Sequence, residues 1–524
     1  MFLTALTFLP LLGALAIALL PGGDERKQRT IALATTLVVA LLGVVLFVGF
    51  DGSSADPQYA VNAGWFALPG ATSIPINFAL SVDGISVLMA VLTAVLMPIV
   101  ILSTWSHINK RVKEFMIWML VMETGMLGVF LASDLMLFYF FWEVSLVPLY
   151  FIIGIWGGER RLYATVKFFL FTLAGSLVML IGVIWLIYQS KSADIAALSD
   201  FAAALPGGTQ SWLFGAFALA FAIKVPLLPF HTWLADAHTE APTSGSVVLA
   251  GVLLKMGTYG LLRFGIGMFP EAAVAWSPLF MGLGAIGIVY GAFLAMAQTD
   301  IKRLIACSSV SHLGYVVLGM FALTQAGLRG SILQMVNHGL STGMLFLLIG
   351  MIYERRHTRA IDQFGGIAAS MPLYSVFFVF AVLSSVGLPS LNGFVGEYMI
   401  LLGSFEASPF WASIAVLGVI FGAVYLLSAT RRVLFGPLIH DANRKLTDMV
   451  PREIGMCIPI VVACVWIGVS PNTCLDKLDG SINQLVERLD GARVAMELDD
   501  STDEPRVALH LPPQNQAPES EQAR

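Results

Sequence analysis

Apolar runs long enough to cross a bilayer recur along the chain about fourteen times. They lie near 1–20, 30–50, 85–105, 115–132, 135–156, 163–188, 211–234, 245–264, 277–297, 301–321, 329–352, 371–405, 410–430 and 453–470. A membrane helix needs about 20 such residues, so the pattern predicts an all-α polytopic membrane protein of about 14 transmembrane helices. Little remains for a soluble catalytic domain. Two runs are interrupted: the seventh by Ala222-Ile-Lys-Val-Pro-Leu-Leu-Pro-Phe-His231, the twelfth by Ser385-Val-Gly-Leu-Pro-Ser-Leu-Asn-Gly-Phe394. Proline removes a backbone donor, and Gly and Asn tolerate unwound geometry, so both predict broken helices. If spans 4–8 and 9–13 are two five-helix repeats, each break falls in the fourth helix. An odd helix number then inserts the repeats with opposite orientation. Ordinary proline kinks are the plainer alternative.

The expected organisation is therefore three N-terminal helices (1–112), a first repeat (113–265), a second, inverted repeat (277–430), a last helix (453–471) and a tail (472–524). Eighteen basic residues fall in loops after odd-numbered spans and three, Lys191, Arg263 and Arg329, after even-numbered ones. The positive-inside rule puts the odd loops in the cytoplasm and both termini on the outer side. The first run has no basic leader or small-residue cleavage site and reads as a retained helix, with no transit peptide before it. Composition agrees: 57% hydrophobic, 12% charged, mean hydropathy +0.82. Acidic residues of the tail supply most of the net charge of −5. A weak amphipathic stretch is expected near Ile482 to Leu498, then disorder from about Asp499 to Arg524. No basic surface suited to nucleic acid is present.

Against this apolar background, Lys167, Lys224, Lys255, Glu143 and Glu397 stand inside the runs. A lone mid-membrane Lys or Asp costs roughly 2.5–3.5 kcal/mol, which favours a proton or ion pathway. Lysine suits a relay because burial disfavours its cation and a nearby carboxylate restores it. At an effective dielectric of about 20, charges about 6 Å apart interact by roughly 3 kcal/mol, enough to switch a lysine between holding and releasing a proton. Glu143 and Lys224 are the candidate switching pair; a static buried ion pair is the alternative. His312, near Ser308, Ser309 and Ser311, and His338, beside Asn337 and Ser341, are candidates for a polar file between Lys255 and Glu397.

Other signals point away from cofactors. Cys307, Cys457, Cys464 and Cys474 have neither CxxC nor ferredoxin-like spacing, so no iron–sulfur or zinc site is expected. His231 and His238, with Asp236 and Glu240, match no familiar metal site. Gly282-Leu-Gly-Ala-Ile-Gly287 fits a dinucleotide pattern, yet it lies in a membrane run with no preceding strand. Its glycines, with Gly287 and Gly291 forming a GxxxG, instead suit close helix packing.

The segments Asp134-Leu-Met-Leu-Phe-Tyr-Phe-Phe-Trp-Glu143-Val-Ser-Leu-Val-Pro-Leu-Tyr150 and Ile155-Trp-Gly-Gly-Glu-Arg-Arg-Leu-Tyr163 carry a resemblance. So do Lys224-Val-Pro-Leu-Leu-Pro-Phe-His-Thr-Trp-Leu-Ala-Asp-Ala-His-Thr-Glu-Ala-Pro242 and Asp300-Ile-Lys-Arg-Leu-Ile-Ala-Cys-Ser-Ser-Val-Ser-His312. From the first span to about residue 470 the chain resembles the antiporter-like subunit M family of respiratory NADH:quinone oxidoreductase (complex I). The resemblance implies a proton-translocating membrane subunit without redox centres, in a bacterial cytoplasmic (inner) membrane, beside sister antiporter-like subunits. FMN, iron–sulfur clusters and quinone are then expected in partner subunits. Glu143 and Lys224 correspond to the family's modulating pair, Lys255 to its connecting lysine, and His312 and His338 to its hydrophilic axis. The terminal position is lysine in sister subunits and Glu397 here, which, with the lack of further spans forming a lateral helix, separates the chain from subunit L. Glu123 and Lys167 resemble accessory members. A subunit of a multisubunit cation/proton antiporter, and a scaffold that has lost transport, are the other readings; copurifying flavin and iron–sulfur subunits discriminate them.

Overall fold

A computed structural model describes residues 1–21, 23–68 and 73–501. Twelve of its helices are long and apolar enough to cross a membrane. The seventh and twelfth expected crossings are each split in two: Gly207–Lys224 with Thr232–Glu240, and Pro372–Val386 with Asn392–Ala407. Spans are numbered below in expected order, so span 5 is Leu135–Trp156, span 8 Thr243–Ile266, span 10 Ile301–Phe321 and span 11 Gln325–Arg356.

Spans 8, 10 and 11 are buried throughout their apolar windows, whereas spans 1, 2, 13 and 14 bury only a third or so. Because the hydrocarbon surroundings are as apolar as a core, the outer helices need no polar face. The inner helices are the place where polar side chains can be sheltered from lipid.

Two hydrogen-bonded bridges of the same form lie at the starts of spans 5 and 10. Asp134 caps span 5, its carboxylate accepting from the N–H groups of Met136 and Leu137; Asp300 caps span 10 in the same way, through Lys302 and Arg303. Beside the first cap, Leu135 N donates to Ala193 O at 2.8 Å and Ile195 N to Ser133 O at 3.0 Å. Beside the second, Ile301 N donates to Arg359 O and Ile361 N to Thr299 O, both at 2.9 Å. Spans 5 and 10 run in opposite directions by parity of crossing. The same device therefore closes helix pairs at opposite faces, as inverted five-helix units require.

The structure adds one element to the all-helical expectation. Strands β1 (Gln58–Leu68) and β2 (Ile74–Val82) pair antiparallel. Ile74, Ile76, Leu80 and Val82 are buried, the period of two of a half-buried strand. Asn77 N donates to Asp134 at 2.9 Å, fastening the hairpin to the start of span 5. Burial pushes the Asp134 carboxyl up, against the backbone donors that hold it down.

The glycines of span 9 (Pro270–Met296) serve packing, but selectively. A Cβ on Gly284 would lie 2.9 Å from Gly314 O, and one on Gly291 2.5 Å from Ser311 N, both in span 10. One on Gly282 would meet the Trp411 ring at 3.0 Å, whereas at Gly287 the nearest atom is 4.0 Å away. Overpacking costs about 1–3 kcal/mol, so Gly291→Leu should sharply lower the amount of protein in membranes while Gly287→Ala leaves it near wild type. Quantitative immunoblots of isolated membranes check this.

The last crossing (Pro451–Val469) leads to a 23-residue surface helix, Asp479–Ser501. It contains the expected amphipathic stretch and runs two residues past the expected start of disorder; the rest of that expectation, residues 502–524, lies outside the described residues. Its Arg488 reaches Asp200 at 2.5 Å and Gly267 O at 3.1 Å, in the first half of the molecule. Its Arg493 donates to Leu323 O at 3.0 Å, and Asn483 accepts from Gln325 at 2.8 Å, in the second.

Candidate functional site

The titratable residues gather in the buried centre, and span 8 joins two groups of them. Lys224 ends the first half of span 7, where Pro226 stops the helix, and is 3% exposed. Trp233 Nε1 crosses the break to donate to Ile223 O at 2.9 Å, holding the two halves in place. Lys224 Nζ lies 4.8 Å from the Trp142 ring centroid, one residue before Glu143. No ion pair joins Glu143 and Lys224 among the described residues; Glu143 Oε1 has no hydrogen-bond partner, and Tyr139 lies against its carboxylate. Glu123 in span 4 (Val112–Leu131) is fully buried with both carboxylate oxygens unpartnered. Gly125 lets its backbone approach Ser145, so spans 4 and 5 pack directly beside these two carboxylates.

Lys167 belongs to a different group from the one its sequence position suggests. It pairs with Asp236 at 2.7 Å, and Asp236 also meets Arg303 at 3.2 Å. Its charge is thus compensated, which removes it from the count of unpaired intramembrane lysines.

Span 8 supplies Lys255, completely buried. Two stretches of π-helix, Leu249–Leu253 and Leu261–Ile266, flank it; such wide turns rearrange backbone acceptors and concentrate at functional positions. The Ala250 carbonyl, five residues back, accepts from Lys255 Nζ. Gly257 permits the close approach of span 8 to the break in span 7, since a Cβ there would lie 3.0 Å from Lys224 Cβ.

From Lys255 a file of polar side chains leads across the second half, with no hydrogen bond between His338 and His312. Lys255 Nζ lies 2.6 Å from Nδ1 of His338 in span 11. The rings of His338 and His312 are 5.7 Å apart. His312 Nδ1 is 3.2 Å from Glu397 Oε1, which also accepts from Gln334 at 3.1 Å. His312 Nε2 is 3.3 Å from the Tyr425 hydroxyl. Glu397 stands in the second turn of the second half of span 12, beside the break and not at the end of the span. Gly387, at φ +81°, ends the first half in the left-handed conformation that glycine favours, and a Cβ there would crowd Glu397 Oε2 at 3.1 Å. Asn392 holds the broken segment, its Oδ1 accepting from Ser384 at 2.6 Å and its carbonyl from Asn337 at 2.7 Å.

Each neighbour in this line has a nitrogen or oxygen that can donate in one protonation state and accept in the other, which is what proton transfer through side chains needs. Gln334, Asn392 and Tyr425 are part of the site without standing out in the sequence. Gln334 carries a signal, lying three and four residues before Asn337 and His338 on one helical face.

The model for the family described as "NADH:quinone oxidoreductase/Mrp antiporter, TM" matches residues 132–422. The chain belongs to that family. The match encloses every residue just described except Glu123, Gly125 and Tyr425. NADH-quinone oxidoreductase subunit M of Rhodobacter capsulatus is 44% identical over 500 residues, covering 93% of this chain and 96% of its own. NADH-ubiquinone oxidoreductase chain 4 of Arabidopsis thaliana is 41% identical over 488 residues, covering 93% and 97%. In the solved respiratory complex I from Thermus thermophilus with bound NADH, one chain matches with TM-score 0.84 and 33% identity, over 93% of this chain and 100% of that one. A chain of the Mrp complex from Dietzia sp. DQ12-45-1b, 20% identical at TM-score 0.79, shares the fold.

Proposed function

We propose that this chain is a proton-translocating membrane subunit of a bacterial NADH:quinone oxidoreductase, without redox centres of its own. Its own residues bind and pass protons; FMN, iron–sulfur clusters and quinone belong to partner subunits, and sister antiporter-like subunits are its neighbours in the cytoplasmic membrane. Both termini face outward, as the basic loops imply. The observation that carries this reading is the buried file Lys255–His338–His312–Glu397, with direct polar contact at each end and the two imidazole ring centroids 5.7 Å apart between them, in a chain that matches subunit M relatives over nearly its whole length. Lower identity to the Mrp chain, at comparable coverage, weighs against the cation antiporter reading.

Glu143 and Lys224 act as the switch. Here the two make no direct ion pair but the Glu143 charge still acts on Lys224; moved further apart, the lysine gives up its proton, and brought together, it holds one. Lys255 passes the proton, or the change in field, to the second half, and Glu397 delivers it. Lys167 and Glu123 are accessory: Lys167 fixes span 7 through Asp236, and Glu123 modulates Glu143 from the neighbouring helix.

Gentle purification is expected to bring down NADH-oxidising flavin and iron–sulfur subunits. In inverted membrane vesicles, Glu143→Gln and Lys224→Ala should cut NADH-driven proton uptake about tenfold or more with the complex assembled. Wild-type pumping by either assembled variant would sink the switch.

A further inference from the structure

We propose that His238 and Lys302 form an input branch that carries protons from the cytoplasmic loops to Lys255; this rests on the relay reading above. His238, in the second half of span 7, is fully buried, and neither ring nitrogen has a hydrogen-bond partner. A buried imidazole left this way costs free energy that a purely structural residue would not keep. Its ring stacks on Phe346 of span 11 with centroids 4.7 Å apart and planes 1° from parallel. Phe346 lies eight residues from His338 on the same helix, about 12 Å along the axis. The Ser246 hydroxyl donates to the His238 carbonyl at 3.1 Å, tying it to the start of span 8. Inward, the charge of Lys255 acts on the ring, and the ring acts on His338.

Outward stands Lys302. Although it adjoins the half-buried Arg303, it is only 6% exposed and turns inward from the first turn of span 10. Its Nζ donates to the carbonyl of Ala241, which caps the helix one turn beyond His238. Residues three apart share a helical face, so Lys302 meets the side of the helix that carries His238, and its charge acts on that ring. Asp300, Glu240 and Arg359 surround Lys302 on its outer side, and Arg359 pairs with Asp300 at 3.1 Å. Lys302, as a neutral amine, takes a proton from the loop side; water carries it across to one His238 nitrogen, and from the other nitrogen water carries a proton on to the Lys255 amine. Only N–H and O–H bonds are made and broken, and no charge is left behind.

The test is the initial rate of NADH-driven proton uptake by inverted vesicles, at matched complex content, for His238→Gln, His238→Ala, Lys302→Met and Lys302→Arg. Each is expected to pump about tenfold more slowly than wild type, Lys302→Arg included, because guanidinium does not release its proton. Imidazole added to the outer bath should raise the rate of His238→Ala and leave Lys255→Ala unchanged. Wild-type pumping by His238→Gln, or by Lys302→Arg, overturns the branch, the latter making Lys302 a fixed helix cap. Failure of His238→Gln to assemble also overturns it, marking His238 as structural. Lys255→Ala and Glu143→Gln run alongside: if they are inactive while the His238 and Lys302 variants pump normally, protons enter elsewhere and the relay stands. If they too pump normally, the relay reading itself falls.

Discussion

Lys255→Ala should all but stop NADH-driven proton uptake, with a loss of about a hundredfold or more, the range in which removing one proton-transferring group falls. No other titratable side chain among the described residues contacts His338 from span 8, and that contact is 2.6 Å long. Removing the amine leaves the second half without its donor. Lys255→Arg is the sharper experiment. Arginine keeps the charge but not the exchangeable proton, and its fork must fit where Lys255 already touches the Ala250 carbonyl and His338. It is expected to pump little better than Ala. Near-normal pumping by Lys255→Arg at matched complex content would mean that position 255 works through its field alone, and the proton line would have to begin at His338.

The second large effect is expected at Glu397. Glu397→Gln retains the size of the side chain and an oxygen to accept from Gln334, but it cannot take up or release a proton. Pumping should fall by about a hundredfold, on the order expected for a lost acid–base group. Glu397→Asp keeps the carboxylate one methylene back from His312, lengthening a contact that is already 3.2 Å, and should retain more activity than Gln. The comparison is made by proton uptake in inverted vesicles with complex content measured on the same membranes. Equal activity of Gln and wild type would make Glu397 a structural acceptor for Gln334 and place the exit among other polar groups.

The crossings, the two breaks and the buried titratable residues were legible because each is a local signal: a run of apolar residues, a proline within it, a charge where lipid forbids one. What was not legible depends on separation in space. Nothing local tells that Lys167 meets Asp236, 69 residues away, or that Glu143 and Lys224 stand apart in this conformation. Lys302 and Arg303 count alike as loop charges in the sequence, yet a helix turns neighbours about 100° apart, sending Arg303 to Asp236 and the buried Lys302 to the Ala241 carbonyl. The hairpin was passed over because a search for long apolar runs ignores an alternating strand pattern such as Ile74, Ile76, Leu80 and Val82. The π-stretches around Lys255 have no sequence signature comparable to a proline.

The surface helix Asp479–Ser501 has a mechanical consequence. At 23 residues it is a rod of about 35 Å, riveted at Asp200 and Gly267 on one half of the molecule and at Leu323 and Gln325 on the other. A machine that worked by tilting one half against the other would have to shear these rivets at every stroke. With both halves lashed to one beam, tilting of one against the other is opposed at each of these contacts.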